Sequence, residues 1–391
     1  MQNFDEIIPR QNTGCLKYDD LQHRFGNTDI QPMWVADMDL REPEFIRDEF
    51  EKIINHGIYG YQIKLPKYYE AIINWYKSRH NYIFDKQGIF FTPGVVPAIS
   101  YIIQAFTKPG DKIIIQTPVY YPFMWVIKNN NRELVNNQLL EEKGNYSINF
   151  EELEQQAKES KMLILCSPHN PVGRVWSKEE LEKIVEICIK NNVIIVSDEI
   201  HNDIVFEPHK HIPTASISDK SNKITITCHA ASKTFNLAGL SAAYIHMIDH
   251  EMQNIFKTYY ANLFADEINV FGMVATYEAF TKGEPWLNEM KEYVKSNYLY
   301  IKNYLVENLP QITVSALEAT YLVWFDFRNL KLTNEELKQL IIEKAHLGLN
   351  DGPTFGDGGS GFQRMNIACP KSVVEKAMNN IKIAVDSLKV K

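Results

Sequence analysis

Four short apolar runs rich in β-branched residues recur through the middle of the chain, and they constrain the fold more than any other feature. They lie at residues 112–116, 162–166, 193–197 and 224–228. Segments with helical periodicity separate them, and runs that are apolar at consecutive positions are typical of strands buried on both faces. This alternation predicts an α/β domain in which helices sandwich a mostly parallel sheet.

Two capping boxes support the predicted helices. Ser177 with Glu180, and Thr333 with Glu336, have the spacing at which a hydroxyl side chain and an acid cap the first turn of a helix. Each pair stands just ahead of a segment with apolar residues at helical spacing, so we expect helices to begin there.

The length of 391 residues predicts two domains, because a single hydrophobic core rarely grows to that size. We expect the large domain at 46–284. The arm 1–45 and the segment 285–391 are expected to form a smaller α+β domain. Its predicted elements are a long helix over 285–309, a strand over 321–327, a helix over 333–344, a strand over 365–368 and a helix over 373–388.

Composition excludes several classes of protein. The net charge is −8 without a basic run, which argues against nucleic-acid binding. No stretch reaches the roughly 18 apolar residues of a membrane helix, so a cytoplasmic protein is expected. The five cysteines are widely spaced, odd in number and without a CxxC pair, which fits reduced thiols.

Polar residues follow three of the predicted strands, where open parallel sheets place their ligands. Lys233 comes a few residues after the run at 224–228, and the run at 193–197 continues directly into Asp198. An acid facing a pyridine nitrogen keeps that nitrogen protonated, a role that suits Asp198. The alternatives are a solvated loop lysine for Lys233 and a helix N-cap for Asp198.

The third strand end carries Asn170, held in a turn between Pro168 and Pro171. Its amide can donate to a phenolate oxygen, and the alternative is a residue that only forms the turn. Gly94 stands between a predicted strand and the helix that follows it. The free N–H groups of such a helix start suit a phosphate, unless the glycine only serves the turn.

Six motifs, in this order, resemble those of fold type I enzymes that use pyridoxal 5'-phosphate (PLP), in the aminotransferase class I/II superfamily. They are TPGVVPA, TPVYYPF, SPHNPVGR, SDEIH, ASKTFNLAGL and RMNIACP, and the resemblance covers almost the whole chain. Within the superfamily, MWVADMDL, Tyr59-Gly60-Tyr61, TPGVVPA and SDEIH are most similar to the cystathionine β-lyase and cysteine-S-conjugate lyase branch, which includes cystalysin-like enzymes.

The resemblance implies a role for each matching residue at the cofactor ring. It implies that Lys233 holds PLP as a Schiff base and that Asp198 pairs with the pyridinium nitrogen. Asn170, helped by His201, donates to the ring 3'-oxygen, and Tyr120 stacks on the ring.

The resemblance also implies phosphate and substrate contacts. The phosphate contacts are the backbone of Gly94, Val95 and Val96, the Ser232 hydroxyl, and Tyr61 from the partner subunit of a homodimer. Arg364 clamps the substrate carboxylate, for which the alternative is a surface strand arginine. Tyr121 and Ala36 lie at the substrate, and Tyr120 and Tyr121 join Lys233 as catalytic residues. A core tyrosine is the alternative for Tyr121.

One departure from the superfamily pattern concerns the phosphate. Many members have an arginine eight residues after the lysine, where this chain has Ser241, and a hydroxyl residue three before it, where this chain has Ala230. The resemblance therefore implies a phosphate held with less positive charge.

Two histidines with alternating spacing are interpreted as part of a loop and not as metal ligands. His209 and His211 would point the same way on an extended segment, but no third ligand is apparent. No metal is predicted.

The activity implied by the resemblance is α,β-elimination from L-cystathionine, L-cysteine or a cysteine S-conjugate, giving pyruvate, ammonia and a thiol or sulfide. Two alternatives stay open. One is an aminotransferase, which shares the removal of the α proton. The other is a lyase that also regulates a transcription factor by protein contact.

Overall fold

The computed structural model describes residues 2–263, 265, 267 and 269–390. Its main sheet has seven strands, in chain order β1 Ile89–Thr92, β2 Lys112–Ile115, β3 Glu133–Asn136, β4 Ser160–Cys166, β5 Ile194–Asp198, β6 Thr225–His229 and β7 Ala243–His246. The spatial order is β1-β7-β6-β5-β4-β2-β3, and only β7 runs antiparallel to its neighbours. The predicted α/β fold with a mostly parallel sheet is confirmed.

A second, antiparallel sheet of four strands lies in the C-terminal part. Its strands are β8 Thr313–Val314, β9 Leu322–Asp326, β10 Asn350–Asp351 and β11 Phe362–Asn366, in the order β8-β9-β11-β10. Two smaller pairings join Gln31–Pro32 to Leu347–Gly348 and Leu140–Glu142 to Asn145–Ser147.

Helices cover both faces of the main sheet and much of the second one. The longer helices are Glu44–His56, Pro66–His80, Val95–Phe106, Pro122–Asn129, Phe150–Ala157, Lys178–Asn191, His250–Ala261, Val270–Lys282, Glu284–Asn308 and Lys371–Asp386. The short α-helices are Leu16–Asp19, Leu21–Phe25, Asp219–Ile224, Ala231–Thr234 and Asn334–Gln339. A π-helical turn spans Leu340–Lys344, and 3-10 turns span Lys86–Gly88, Thr214–Ile217, Ala238–Leu240, Arg328–Leu330, Gly352–Phe355 and Ser387–Val390.

Several predicted bounds move by a few residues. The strands predicted at 193–197 and 224–228 each lie one residue later, because the backbone ladder continues through polar residues that the apolar pattern cannot mark. The helix predicted over 333–344 divides after Gln339 into an α-helix and a π-helical turn. Both predicted capping boxes, at Ser177 and Thr333, are confirmed.

The N-terminal arm packs on the C-terminal part of the chain. Met33 N donates to Gly348 O and Asn366 N donates to Met33 O, each at 2.8 Å. The Asn366 side chain donates to Val35 O at 2.6 Å and to Asp37 O at 2.5 Å. These contacts support the proposed small domain of residues 1–45 and 285–391, whose boundaries stay a prediction.

Four charged side chains hold the arm in shape. Arg10 forms two hydrogen bonds to the Asp37 carboxylate, at 2.7 and 3.1 Å, and one to Asp39 at 2.6 Å. Lys17, which is only 1% exposed, donates to Asp39 at 2.6 Å. Because both signs alternate in this partly buried cluster, each charge has an opposite partner, and removing one leaves another incompletely compensated.

We expect Lys17→Met to lower the free energy of unfolding by about 3 kcal/mol, since it removes a cation from beside the buried Asp39 carboxylate. The matched control is Lys52→Met, which breaks an exposed pair with Glu49 and is expected to cost less than about 1 kcal/mol. Urea unfolding of the three proteins measures both. Equal losses in the two variants would contradict this description of the cluster.

Candidate active site

Strand register brings the three predicted strand ends together. Asp198 at the end of β5 lies opposite Cys166 of β4 on one side and Cys228 of β6 on the other. The turn with Asn170 follows β4, and the helix Ala231–Thr234 with Lys233 follows β6. All three side chains line one cavity of about 200 Å³. Its other lining residues include Ala36, Gly94, Val95, Val96, Tyr120, Cys166, Ile200, His201, Ser232 and Ala238.

Lys233 points into this cavity rather than into solvent. Its Nζ donates to the carbonyl oxygen of Ala36 at 2.7 Å. Burial lowers the pKa of the Lys233 amine to about 8, against the attraction of Asp37 and Asp198, while Arg364 adds to the lowering. The solvated-loop alternative is therefore wrong for this lysine, whose amine loses its proton more readily than that of an exposed lysine.

Asp198 is a buried acid with little compensation from the protein. Its Oδ1 accepts a hydrogen bond from Ile200 N at 3.1 Å, and burial raises the pKa of the carboxyl to about 7. The helix N-cap alternative is wrong, because turns follow Asp198 and the next helical segment begins at Thr214. A cationic group in the cavity would stabilise the carboxylate.

Arg364 is buried beside Asn170, so the surface-arginine alternative is wrong. Its Nη1 donates to Asn170 Oδ1 at 3.0 Å, and its Nη2 donates to Trp34 O at 2.9 Å and Asn350 Oδ1 at 2.5 Å. Its Nε has no partner within the described residues, where no carboxylate pairs with this guanidinium. Burial lowers the pKa of Arg364 to about 10. An anionic ligand would supply the missing charge.

The same contact orients Asn170. Because its Oδ1 accepts from Arg364, its amide N–H groups remain to donate into the cavity. An asparagine that served only to form the turn would not account for this contact with Arg364.

Two further rings border the cavity. His201 is buried with no partner for Nδ1 within the described part of the chain, and its ring meets Tyr321 edge-on at 5.9 Å between centroids. Burial, with the nearby cations Lys233 and Arg364, holds the pKa of His201 well below its usual value. Tyr120 is on the cavity wall as well, and burial raises the pKa of its hydroxyl.

The start of the helix Val95–Phe106 borders the cavity at Gly94, Val95 and Val96, near Ser232. The Gly94 backbone is extended, with φ at 169°, and an added Cβ would meet Pro97 Cδ at an ordinary 3.4 Å. The turn alone therefore does not require glycine. Close approach of a ligand to the backbone N–H groups gives it a reason.

Two predicted residues lie elsewhere in this chain. Tyr121 packs on Trp125 at 4.7 Å between centroids and lines a second cavity of about 210 Å³, next to the first. Tyr61 is 97% exposed and does not line the Lys233 cavity. Their predicted roles stay predictions.

His209 and His211, the two histidines considered as metal ligands, contact different acidic residues. His211 Nε2 lies 3.0 Å from Glu199 Oε2 in the interior, whereas His209 lies at the surface, 3.9 Å from Glu318. Within the described residues, no group of three or more acidic, histidine or cysteine side chains is arranged to hold a metal ion.

Three contributors to the site were not foreseen. The Tyr321 hydroxyl donates a hydrogen bond to the Ala36 carbonyl at 2.9 Å, and the Asp37 carboxylate attracts the Lys233 ammonium group. Asn350 binds Arg364 from a two-residue strand. Asp37 belongs to the quoted motif MWVADMDL, but the motif did not assign it a partner. A strand as short as β10 has no periodicity to detect.

We expect the Lys233 amine to become neutral above about pH 8, because burial disfavours its ammonium form. Reductive methylation of cofactor-free protein with ¹³C-formaldehyde makes lysine titrations visible by NMR. The resonance that disappears in Lys233→Arg should titrate near pH 8, about two units below exposed lysines. A Lys233 resonance that titrates with the exposed lysines would contradict the burial described here.

Comparisons with known proteins agree with this geometry. The model of the family "aminotransferase class I and II" matches residues 42–381. Cystathionine β-lyase PatB from Bacillus subtilis (strain 168) is 40% identical over 385 residues, covering 98% of this chain and 100% of that protein.

Two solved structures give the same picture. Cystalysin from Treponema denticola, whose crystal contains a PLP cofactor, superimposes with a TM-score of 0.96 at 35% identity, covering 99% of this chain and 100% of that one. The PLP-bound C-S lyase from Staphylococcus hominis, complexed with L-cycloserine, gives a TM-score of 0.91 at 33% identity, covering 98% of each chain. The resemblance seen in the six motifs is confirmed: the chain belongs to the aminotransferase class I and II family.

Proposed function

We propose that this protein is a PLP-dependent carbon–sulfur β-lyase. It removes the sulfur substituent from L-cystathionine, L-cysteine or a cysteine S-conjugate and yields pyruvate, ammonia and a thiol or sulfide. One observation carries the proposal: a lysine amine with a lowered pKa shares a cavity with a buried, poorly compensated acid, beside a buried arginine that lacks a carboxylate partner. Names of relatives support the same reaction.

The residues of the cavity suit PLP. Lys233 would hold the aldehyde carbon, Asp198 the ring nitrogen, and Asn170 with His201 the ring 3'-oxygen, while Tyr120 would cover a ring face. The helix start at Gly94, Val95 and Val96, together with Ser232, would bind the phosphate. Ser241 does not line the cavity, which agrees with a phosphate bound without an arginine at that position. When bound, PLP supplies an electron sink for the pair released at the α carbon.

This chain's own residues fix the substrate and move its proton. Arg364 binds the α-carboxylate of the substrate. This anion supplies the hydrogen-bond partner that Nε of Arg364 lacks within the described residues. With that anchor, the α proton faces Lys233, whose neutral amine accepts it. The Cβ–S bond then breaks, and its electron pair leaves with the sulfur, which is protonated to a thiol. Water hydrolyses the remaining three-carbon enamine to pyruvate and ammonia.

An aminotransferase would use the same lysine and arginine, because both reactions begin with loss of the α proton. The two differ in the fate of the carbanion, and a keto acid is needed only for transamination. The names of three similar proteins favour elimination.

We expect purified protein with PLP to release thiol and pyruvate from L-cystathionine at the same rate with or without 2-oxoglutarate. Lys233→Ala should lower this turnover by at least about a thousandfold, since it removes both the cofactor attachment and the base. Thiol detection and a coupled pyruvate assay measure the two products. Turnover that requires the keto acid and releases no thiol would make the protein an aminotransferase instead.

We extend the proposal to a homodimer in which Tyr61 reaches the phosphate of the partner's site. Tyr61 lies on a segment whose neighbours Ile58, Tyr59 and Ile63 are 70%, 61% and 76% exposed. Exposed apolar runs of this kind mark interaction surfaces.

The structure's described helices include none long and apolar enough to cross a membrane. The cytoplasmic location and the regulatory alternative stay predictions.

Hybrid dimers test the role of Tyr61. Tyr61→Ala and Lys233→Ala homodimers should each be nearly inactive. Unfolding and refolding them together should restore about a quarter of wild-type activity, because half of the randomly paired dimers carry one intact site. As a control, Tyr61→Ala mixed with wild type should show no gain beyond the wild-type contribution. Absence of recovery in a refolded, dimeric mixture would refute the shared site.

A further inference from the structure

Arg364 lies between the two cavities, because it donates hydrogen bonds to Asn170 of the first and to two residues of the second. Trp34 and Asn350 both line the second cavity, and both accept hydrogen bonds from Nη2 of Arg364. Tyr121 lines it too, with its ring centroid 5.5 Å from that of Tyr120 in the first cavity. A substrate anchored on Arg364 by its α-carboxylate therefore lies at the boundary between the two cavities.

Aromatic rings form much of the wall. Trp125 packs against Tyr121 and remains 51% exposed on the helix Pro122–Asn129. Trp34 is buried and carries the Arg24 guanidinium 4.8 Å from its ring. Such a wall can cover the methylene groups and sulfur of a thioether, since sulfur and aromatic rings attract each other.

Charged side chains of both signs line the second cavity. Arg24 and Lys338 line the cavity, and neither forms an ion pair in the described part of the chain. Asp351 faces the same cavity and accepts a hydrogen bond from Gln363 Nε2 at 2.8 Å. Two cations without an ion pair among the described residues and one carboxyl group are complementary to a ligand end that carries both a carboxylate and an ammonium group.

The backbone of the wall is irregular at this place. Ile341 and Ile342 line the cavity from the π-helical turn Leu340–Lys344, which interrupts the predicted helix. Single π-helical turns are frequent at functional sites, because they redirect side chains that an α-helix would place elsewhere.

We propose that the second cavity is the subsite for the leaving half of the substrate, and that it selects cysteine thioethers whose leaving half ends in a carboxylate and an ammonium group. Arg24 and Lys338 bind that carboxylate, Asp351 binds the ammonium, and the aromatic wall covers the chain between them. This assignment rests on the proposed lyase function. Cleavage there releases an amino-acid thiol, while the α-carbon fragment stays in the first cavity.

The test compares L-cystathionine with S-ethyl-L-cysteine. The leaving half of L-cystathionine carries a carboxylate and an ammonium group, and the leaving half of S-ethyl-L-cysteine carries neither. The double variant Arg24→Gln/Lys338→Gln should lower the ratio of kcat/KM for L-cystathionine to that for S-ethyl-L-cysteine by about tenfold. Lys344→Gln, on the same helical stretch but outside the cavity, should leave the ratio unchanged. Inhibition by L-homocysteine, the released thiol, should weaken in the double variant only.

Asp351→Asn tests the ammonium contact separately. It should reduce kcat/KM for L-cystathionine relative to S-(2-carboxyethyl)-L-cysteine, which lacks the distal ammonium. An unchanged substrate ratio in the double variant, with elimination intact, would overturn the subsite and leave the lyase function standing. If the wild-type protein eliminates thiol from none of these substrates, the proposed function itself fails.

Discussion

The hydrogen bonds between β4, β5 and β6 are the constraint on which the rest of the site depends. Parallel pairing sets Asp198 level with Cys166 and Cys228, so the chain leaves all three strands at the same edge. Asn170 and Lys233 then need only a short turn each to face the acid between them. The register of the strands therefore determines where the site lies, and its polar side chains lie at or just after the ends of these strands.

The opposite wall comes from the N-terminal arm. Its Ala36 carbonyl meets both the Lys233 amine and the Tyr321 hydroxyl, and its Trp34 carbonyl meets Arg364. Backbone carbonyls can do this because the arm is clamped on both sides, by Asn366 and by the Arg10 and Lys17 ion pairs. The polar environment of the reactive lysine is therefore assembled from distant parts of the chain.

That division explains how far the sequence could predict the site. Lys233, Asp198 and Asn170 each follow a recognisable strand, so local pattern and chemistry locate them together. Long-range packing brings Asp37, Tyr321 and Asn350 to the site. The sequence around each of them does not predict which residue it contacts. Tyr120 and Tyr121 are adjacent in sequence, yet the helix beginning at Pro122 sends them to different cavities. Only the path of the backbone separates them.

The clamp at Asn366 also bears on how the chain matures. Its side chain reaches Val35 and Asp37, the former 331 positions earlier, so these bonds can form only after the chain has been synthesised through Asn366. Contacts of such separation close late, because their loops cost entropy before any contact compensates for it. During translation, the strands around Lys233 can thus pair before the cavity has its second wall. A nascent chain would present this lysine to solvent, and the enclosed amine is a property of the finished protein alone.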